Sequence, residues 1–315
     1  MRFTNSYSLP DPLVHALQGD QYDLKGAPSN IISVTTLISP PKQKILEARH
    51  DAEIEIDVSE RLWMLLGTAC HEVVEKATSR DDLSEERWFL DTTDMMVYTM
   101  PANADLNKMA WYVKDHLYVS GKLDLYEAST KKLSDYKITS VWSWLLEKKM
   151  KPEHAAQLNI NAYALMKIGF PVLSLSIMAM FRDWSKTKSK NDYPDLPVPM
   201  KEIFTPIWEN KGVESYIRAR VEFHKSAEAC ADDEILECSP EERWQRPTTY
   251  AVIKRGNKRA TKVFDSKPND EQMALFPNCE VVERPGVDAK CMDYCNASIF
   301  CHYWKKNYTQ IREET

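Results

Sequence analysis

The chain has 315 residues, 43% hydrophobic and 28% charged, with a net charge of −6. That length carries a sizeable core in one large domain or a domain with an appendage, and the composition is that of a soluble globular protein. Eight glycines exclude long flexible linkers, no apolar run nears the ~18 residues of a membrane span, and a nucleic-acid partner requires a local basic groove. Met1 to Pro10 lack the apolar core of a secretory signal. A cytoplasmic location with reduced thiols is therefore expected. Seven cysteines, an odd number with three crowded near the C-terminus, do not read as a disulfide framework.

Residues 1–30 are polar, with Pro10, Pro12 and Pro28, and read as an irregular N-terminal arm. Ile31 to Ser39 is an apolar, β-branched run closed by Pro40 and Pro41, and a helix is expected from Lys42 to about His50. Ser59 is a fair helix N-cap, and Leu62, Leu65, Leu66, Ala69, Val73 and Val74 recur near helical period, which predicts a helix over 59–78. Gly67, His71 and Glu75 stand in register along another side of it. A lone helical histidine is most often a hydrogen-bonded, partly buried one. Residues 87–91, 95–100 and 109–116 are read as strands. With 117–126 and 133–138 they predict a mostly antiparallel sheet.

The second of those pairs, Leu117–Tyr126 and Leu133–Ile138, is separated by a polar segment of hairpin-turn composition. Alternation puts Asp135, Lys137 and Thr139 on one face, and pairing of the two runs would gather Asp124, Asp135 and Lys137 on one surface. Two carboxylates can hold a hard divalent cation, and a lysine beside them can orient a water or neutralise a phosphate. An exposed face with scattered charges is the commoner meaning of an isolated Asp-x-Lys.

Pro152 opens a helix to about Lys167 that carries Gln157, Asn161 and Tyr163. Residues 172–181 are apolar enough for a central strand, and the basic loop from Arg182 to Pro194 interleaves Trp184 and Tyr193 among lysines, a composition suited to nucleic acid or to solvent. A long helix is expected over 212–229. Further on, 250–263 reads as a basic hairpin turning at Gly256 and Asn257. Cys291, Cys295 and Cys301 then fall within eleven residues. Thiolates so placed bind zinc or iron–sulfur centres, which want four protein ligands. Cys238 and Cys279 compete for the fourth place, with Cys230, Cys70 and His302 behind; three cysteines in a buried helical cap are the alternative.

Taken in chain order, Gly67 with His71, Gly121 with Asp124, Asp135-Tyr136-Lys137, Gln157 and the cysteine triplet resemble the RecB-like branch of the PD-(D/E)XK nuclease superfamily. That branch includes phage exonucleases and the CRISPR-associated iron–sulfur nucleases, and the likeness spans about 230 residues. It implies an α/β fold: a restriction-endonuclease-like core over 31–230 with a central mixed sheet flanked by helices, then a cysteine-containing C-terminal region over 231–315. It further implies a metal-dependent DNA exonuclease of phage-type DNA processing or recombination, acting in the host cytoplasm if phage-encoded. His71, Asp124 and Asp135, with the Ile138 carbonyl, would ligate Mg²⁺ or Mn²⁺. Lys137 would position or help deprotonate water and stabilise the phosphate, and Gln157 would orient nucleophile or substrate. The family tyrosine falls four residues after the glutamine; here that place is Asn161 and the tyrosine is Tyr163.

Iron–sulfur members carry their first cysteine ahead of the histidine, whereas here none precedes Cys70. Cys238 is then the first choice to join Cys291, Cys295 and Cys301 around a 4Fe-4S cluster, with Zn²⁺ the alternative. DNA is the expected partner, and a recombination or helicase protein would supply any unwinding. A catalytically silent DNA-binding subunit that keeps the fold, and a zinc module on an unrelated α/β domain, are the rival readings.

Overall fold

A proline in the first helical turn costs no hydrogen bond, so Pro12 does not keep the N-terminal segment irregular. After strand β1 (Arg2–Thr4), helix α1 (Asp11–Gln18) forms within the expected arm. The structure, a computed structural model, describes residues 1–19, 28–79, 81–100, 105–147 and 150–312, so part of that arm lies outside the described residues. The chain forms two units, Met1–Ser39 with Glu55–Ser226, and Pro40–Ile54 with Ala227–Thr315. The second unit thus takes in a segment that sequence reading assigns to the core.

In the first unit, β2 (Ile31–Ser33) is short because the Ser33 hydroxyl accepts from the Thr36 N–H at 3.0 Å and caps helix α2 (Val34–Ile38). The β-branched run is therefore half strand and half helix. Helix α3 (Pro41–Arg49) belongs to the second unit. Strand β3 (Glu55–Asp57) pairs in parallel with β1. Asp57 rather than Ser59 then takes the capping role, accepting from the Ser59 N–H to open a 3-10 turn that runs into α4 (Leu62–Ala77). The apolar stripe of α4 is not covered: none of its residues is fully buried, and Val73 is 67% exposed.

Two four-stranded mixed sheets follow. In one, β4 (Arg87–Asp91) lies antiparallel between β5 (Val97–Thr99) and β6 (Tyr118–Lys122), and β2 adds to β6 in parallel. The strand expected over 109–116 is absent. Trp111 instead stacks on Tyr98 with centroids 4.9 Å apart, and the Tyr118 hydroxyl accepts from the Val113 N–H at 2.8 Å. Aromatic packing outcompetes strand pairing there.

The other sheet is ordered β10-β9-β8-β7, from β7 (Leu125–Glu127), β8 (Lys132–Thr139), β9 (Ser174–Phe181) and β10 (Met200–Thr205). β7 and β8 form the antiparallel hairpin, while β8 and β9 run parallel. A parallel pair needs a crossover, supplied by α5 (Val141–Glu147) and α6 (Pro152–Lys167). The mostly antiparallel sheet is thereby corrected to a mixed α/β arrangement. α6 is buried continuously from Leu158 to Leu165, where it shares a core with Leu133, Leu175 and Ile177. After the short α7 (Lys186–Ser189), α8 (Asn210–Glu228) adds Val213, Ile217 and Val221 to that core.

The second unit contains β11 (Gln245–Arg246), β12 (Thr249–Lys254), β13 (Ala260–Phe264), α9 (Asp270–Ala274), β14 (Cys279–Arg284), β15 (Val287–Asp288), α10 (Ala289–Asp293) and α11 (His302–Arg312). β12 is the middle of a three-stranded antiparallel sheet, and β11 pairs with β15. Its interior is partly ionic. Fully buried Asp288 accepts from the Tyr303 and Tyr308 hydroxyls at 2.7 and 2.8 Å and pairs with Arg243 at 3.2 Å. No helix among the described residues is long and apolar enough to cross a membrane.

Candidate functional site

Asp124 sits in the bend where the chain leaves β6 for β7. Gly121 makes that path available: a Cβ there would lie 2.3 Å from a ring carbon of Trp88 and 2.8 Å from Asn161 Oδ1. Gly67, by contrast, has nothing within 4 Å of a built Cβ, so packing does not require it. The Asp124 carboxylate accepts from the Tyr136 N–H at 2.8 Å, which fastens it to β8. From α4, His71 brings its Nδ1 to 3.6 Å from Asp124 Oδ2 and sets its ring edge-on to Tyr136.

A third group completes this cluster. Glu85 stands 3.4 Å from His71 Nδ1 and is ion-paired with Lys122. One ligand atom from each of His71, Glu85 and Asp124 falls within 4.8 Å of the others. Glu85 escapes sequence reading because it lies in an irregular bend with φ +56°, where no periodicity marks it. The left-handed conformation costs a non-glycine residue roughly 1–2 kcal/mol, and here it aims a nearly buried carboxylate at the histidine. Its only sequence signal is acidic residues ahead of a strand.

Asp135 is 3% exposed and lies in register with Ile177 at the centre of the sheet. Lys137, two residues on and on the same face, places its Nζ 2.7 Å from Asp135 Oδ2. Burial by itself would lower the Lys137 pKa, but the Asp135 and Asp124 carboxylates outweigh it and hold the ammonium protonated. Burial, then the Asp135 charge, pushes Asp124 up to about 7. His71 feels burial downward, yet the Glu85 hydrogen bond and the Asp124 charge raise it. The crowding of the Asp124 and Asp135 carboxylates is relieved by a proton or by a bound cation. Asp135 joins this set through charge and through Lys137; it is not among the three groups whose ligand atoms converge. Ile138 follows Lys137 on β8, in register with Met180.

α6 contributes unequally. Gln157 is half-buried near its start. One turn earlier stands His154, which sequence reading passed over; burial and then the nearby Lys137 charge hold it down to about 4, so it is neutral. Asn161 is committed to structure, accepting from Trp88 Nε1 at 3.2 Å. Tyr163 is fully buried and donates to Glu214 on α8 at 2.6 Å. Neither occupies a reactive position.

The second unit holds a separate feature. Cys238, Cys291, Cys295 and Cys301 line one cavity of about 370 Å³, open solvent included, with Lys42, Leu46 and Arg243 among the other walls. Burial first, then neighbouring acidic groups, pushes the Cys238 and Cys291 thiols up to about 12 and that of Cys295 to about 11. Cys70 lies elsewhere, on α4, donating to Met180 Sδ at 3.8 Å, and Cys279 points its thiol at the Pro277 carbonyl. Four soft donors around one cavity suit a thiophilic metal or cluster.

Neither protein-family models nor curated proteins give a match to this chain. Among solved structures, the chain titled "Crystal structure of SSO0001" aligns at 12% identity and a TM-score of 0.41, covering 67% of this chain and 83% of that one. A likeness of that degree carries no functional argument.

Proposed function

We propose that this protein is a divalent-metal-dependent deoxyribonuclease on a restriction-endonuclease-like core, an exonuclease of DNA processing. The observation that carries the reading is the convergence of His71, Glu85 and Asp124 within 4.8 Å, one strand away from buried Asp135 and its half-buried partner Lys137. The donor set of one imidazole and carboxylates fits Mn²⁺ or Mg²⁺. Glu85 takes a place beside His71 and Asp124, and Asp135 stands behind them. A cation so held supplies charge neutralisation on the phosphate and lowers the pKa of water.

The chain's own groups do the rest. Lys137, kept cationic by its two carboxylates, stabilises charge on the phosphate and orients the incoming water rather than accepting its proton. Asp135 holds that ammonium in place. His154, neutral beside it, adds no competing positive charge. Gln157 is the remaining polar group of α6 on this side and would orient substrate.

In the second unit the four cysteines would hold a structural 4Fe-4S cluster. Zinc at about 2.3 Å from each thiolate requires sulfurs roughly 3.8 Å apart. Among the described residues, only His71, Glu85 and Asp124 converge as a triplet within 4.8 Å. No three of the thiols meet that condition among the described residues, which speaks against a preformed zinc site.

The test is cleavage of end-labelled linear and circular DNA by anaerobically purified protein, in Mn²⁺, Mg²⁺ or EDTA, beside the Lys137→Ala variant. Metal-dependent shortening of linear DNA, abolished in Lys137→Ala with DNA binding kept, is the expected result. Folded wild type that binds DNA but cleaves none under any metal would replace this reading with that of a silent subunit. Unchanged cleavage by Lys137→Ala would remove the site assignment.

A further inference from the structure

β12 and β13 pair antiparallel and reverse at Lys254–Asn257, where the Asn257 N–H donates to the Lys254 carbonyl at 2.9 Å and Gly256 has φ +88°. Position i+2 of a type II turn requires that φ, and glycine adopts it without strain. Around this turn stand Lys254, Arg255, Lys258, Arg259 and Lys262, five cations within nine residues and no acidic residue among them. All five side chains are exposed. None has an ion-pair partner among the described residues. Other cations of the same unit do find partners: Arg49 pairs with Asp232 at 2.6 Å, and Arg243 with Asp288 at 3.2 Å.

Five exposed like charges around one turn repel one another, in a chain whose total charge is −6. A polyanion relieves that repulsion, and such a cluster draws one in. We propose that this hairpin grips the sugar–phosphate backbone of DNA; the inference rests on the reading of DNA as substrate. Residues 254–262 contain no aromatic side chain on which a base would stack. They also contain no large apolar side chain to enter a lipid surface. Phosphates are what remains. The grip is independent of sequence and supplies affinity and hold rather than specificity. An exonuclease that stays on its substrate between cleavages needs it.

The experiment compares DNA affinity of the full-length wild type with that of the Lys254→Gln, Arg255→Gln, Lys258→Gln, Arg259→Gln, Lys262→Gln variant, across a salt series in EDTA. The variant is expected to bind about tenfold more weakly near ~0.15 M salt, with a log–log salt slope shallower by roughly 0.9 for each phosphate it no longer neutralises. A smaller neutralisation, Lys258→Gln with Arg259→Gln, should weaken binding and flatten the slope in the same direction and serves if the quintuple variant fails to fold, while the charge-keeping Arg255→Lys with Arg259→Lys should bind as wild type. Equal affinity and equal slope for wild type and quintuple variant would overturn the inference while leaving the nuclease reading intact. Wild type that binds in EDTA but never cleaves would sink the nuclease reading alone. Wild type that ignores DNA yet floats with phosphatidylserine vesicles would overturn the hairpin inference in favour of a membrane surface.

Discussion

Alanine at Gly121 and at Gly67 should move stability in opposite directions. At Gly121 the new Cβ falls 2.3 and 2.5 Å from two ring carbons of Trp88 and 2.8 Å from Asn161 Oδ1. Trp88 is 1% exposed and donates to that same Oδ1 at 3.2 Å, so the ring cannot move without loosening a buried hydrogen bond. Overpacking costs about 1–3 kcal/mol, and the strained hydrogen bond adds ~0.5–1.5 kcal/mol. The smaller unfolded-state entropy of alanine returns ~0.4–1 kcal/mol. The net is a destabilisation centred on roughly 2 kcal/mol. At Gly67, inside α4, a Cβ meets nothing within 4 Å, so only the helical gain of about 0.5–1 kcal/mol remains. Urea unfolding followed by circular dichroism reads both. The midpoint should fall for Gly121→Ala and rise for Gly67→Ala, with the denaturant slope unchanged. Equal midpoints for the two variants would refute the packing argument at Gly121.

Glu85→Gln removes a charged donor from the converging triplet and should weaken Mn²⁺ binding by at least ~10-fold in titration calorimetry; unaltered affinity would drop Glu85 from the site. Tyr163→Phe loses the bond to Glu214 and should cost about 1.5–3 kcal/mol of stability, while cleavage stays at the wild-type rate. A loss of cleavage without loss of stability would restore a catalytic part for Tyr163. For Asp288, burial by itself would raise the pKa, but hydrogen bonds from Tyr303 and Tyr308 and the Arg243 pair outweigh it and hold it low. A depressed folded pKa means the stabilisation is present above the unfolded value near ~3.9 and is lost as pH falls below it through the folded pKa. Melting of wild type between neutral pH and pH ~3 should show that acid loss, and Asp288→Asn should flatten it.

What could be read in the sequence was what repeats or what clusters. The Asp135-x-Lys137 alternation survives because a strand's period of two puts both on one face whatever the rest of the fold does. The turn between Tyr126 and Leu133, and the helix opened by Pro152, are local signals and stand where expected. Glu85 was hidden because a left-handed bend has no period. His154 carries no periodic signal of its own, and the packing of α6 leaves it half-buried. The arm over 1–30 and the split of 31–39 were decided by single caps, Pro12 in a first turn and the Ser33 hydroxyl. Cys238, among five candidates for a fourth place beside Cys291, Cys295 and Cys301, could be ranked by sequence but located only by the cavity.

The second unit is assembled from two stretches of chain far apart in synthesis. Its α3 leaves the ribosome early, with Leu46 1% exposed only once the rest of the unit closes over it. Cys301 follows 255 residues later. At about 5–20 residues per second that is a wait of roughly 13–50 s. Until residue 227 is made, Leu46 and Ile54 lack the later part of their own unit. A chain stalled or cleaved before residue 227 therefore carries Pro40–Ile54 without the rest of its unit, which is a good handle for a chaperone or a protease. Closure of the second unit thus waits on chain made long after its first helix.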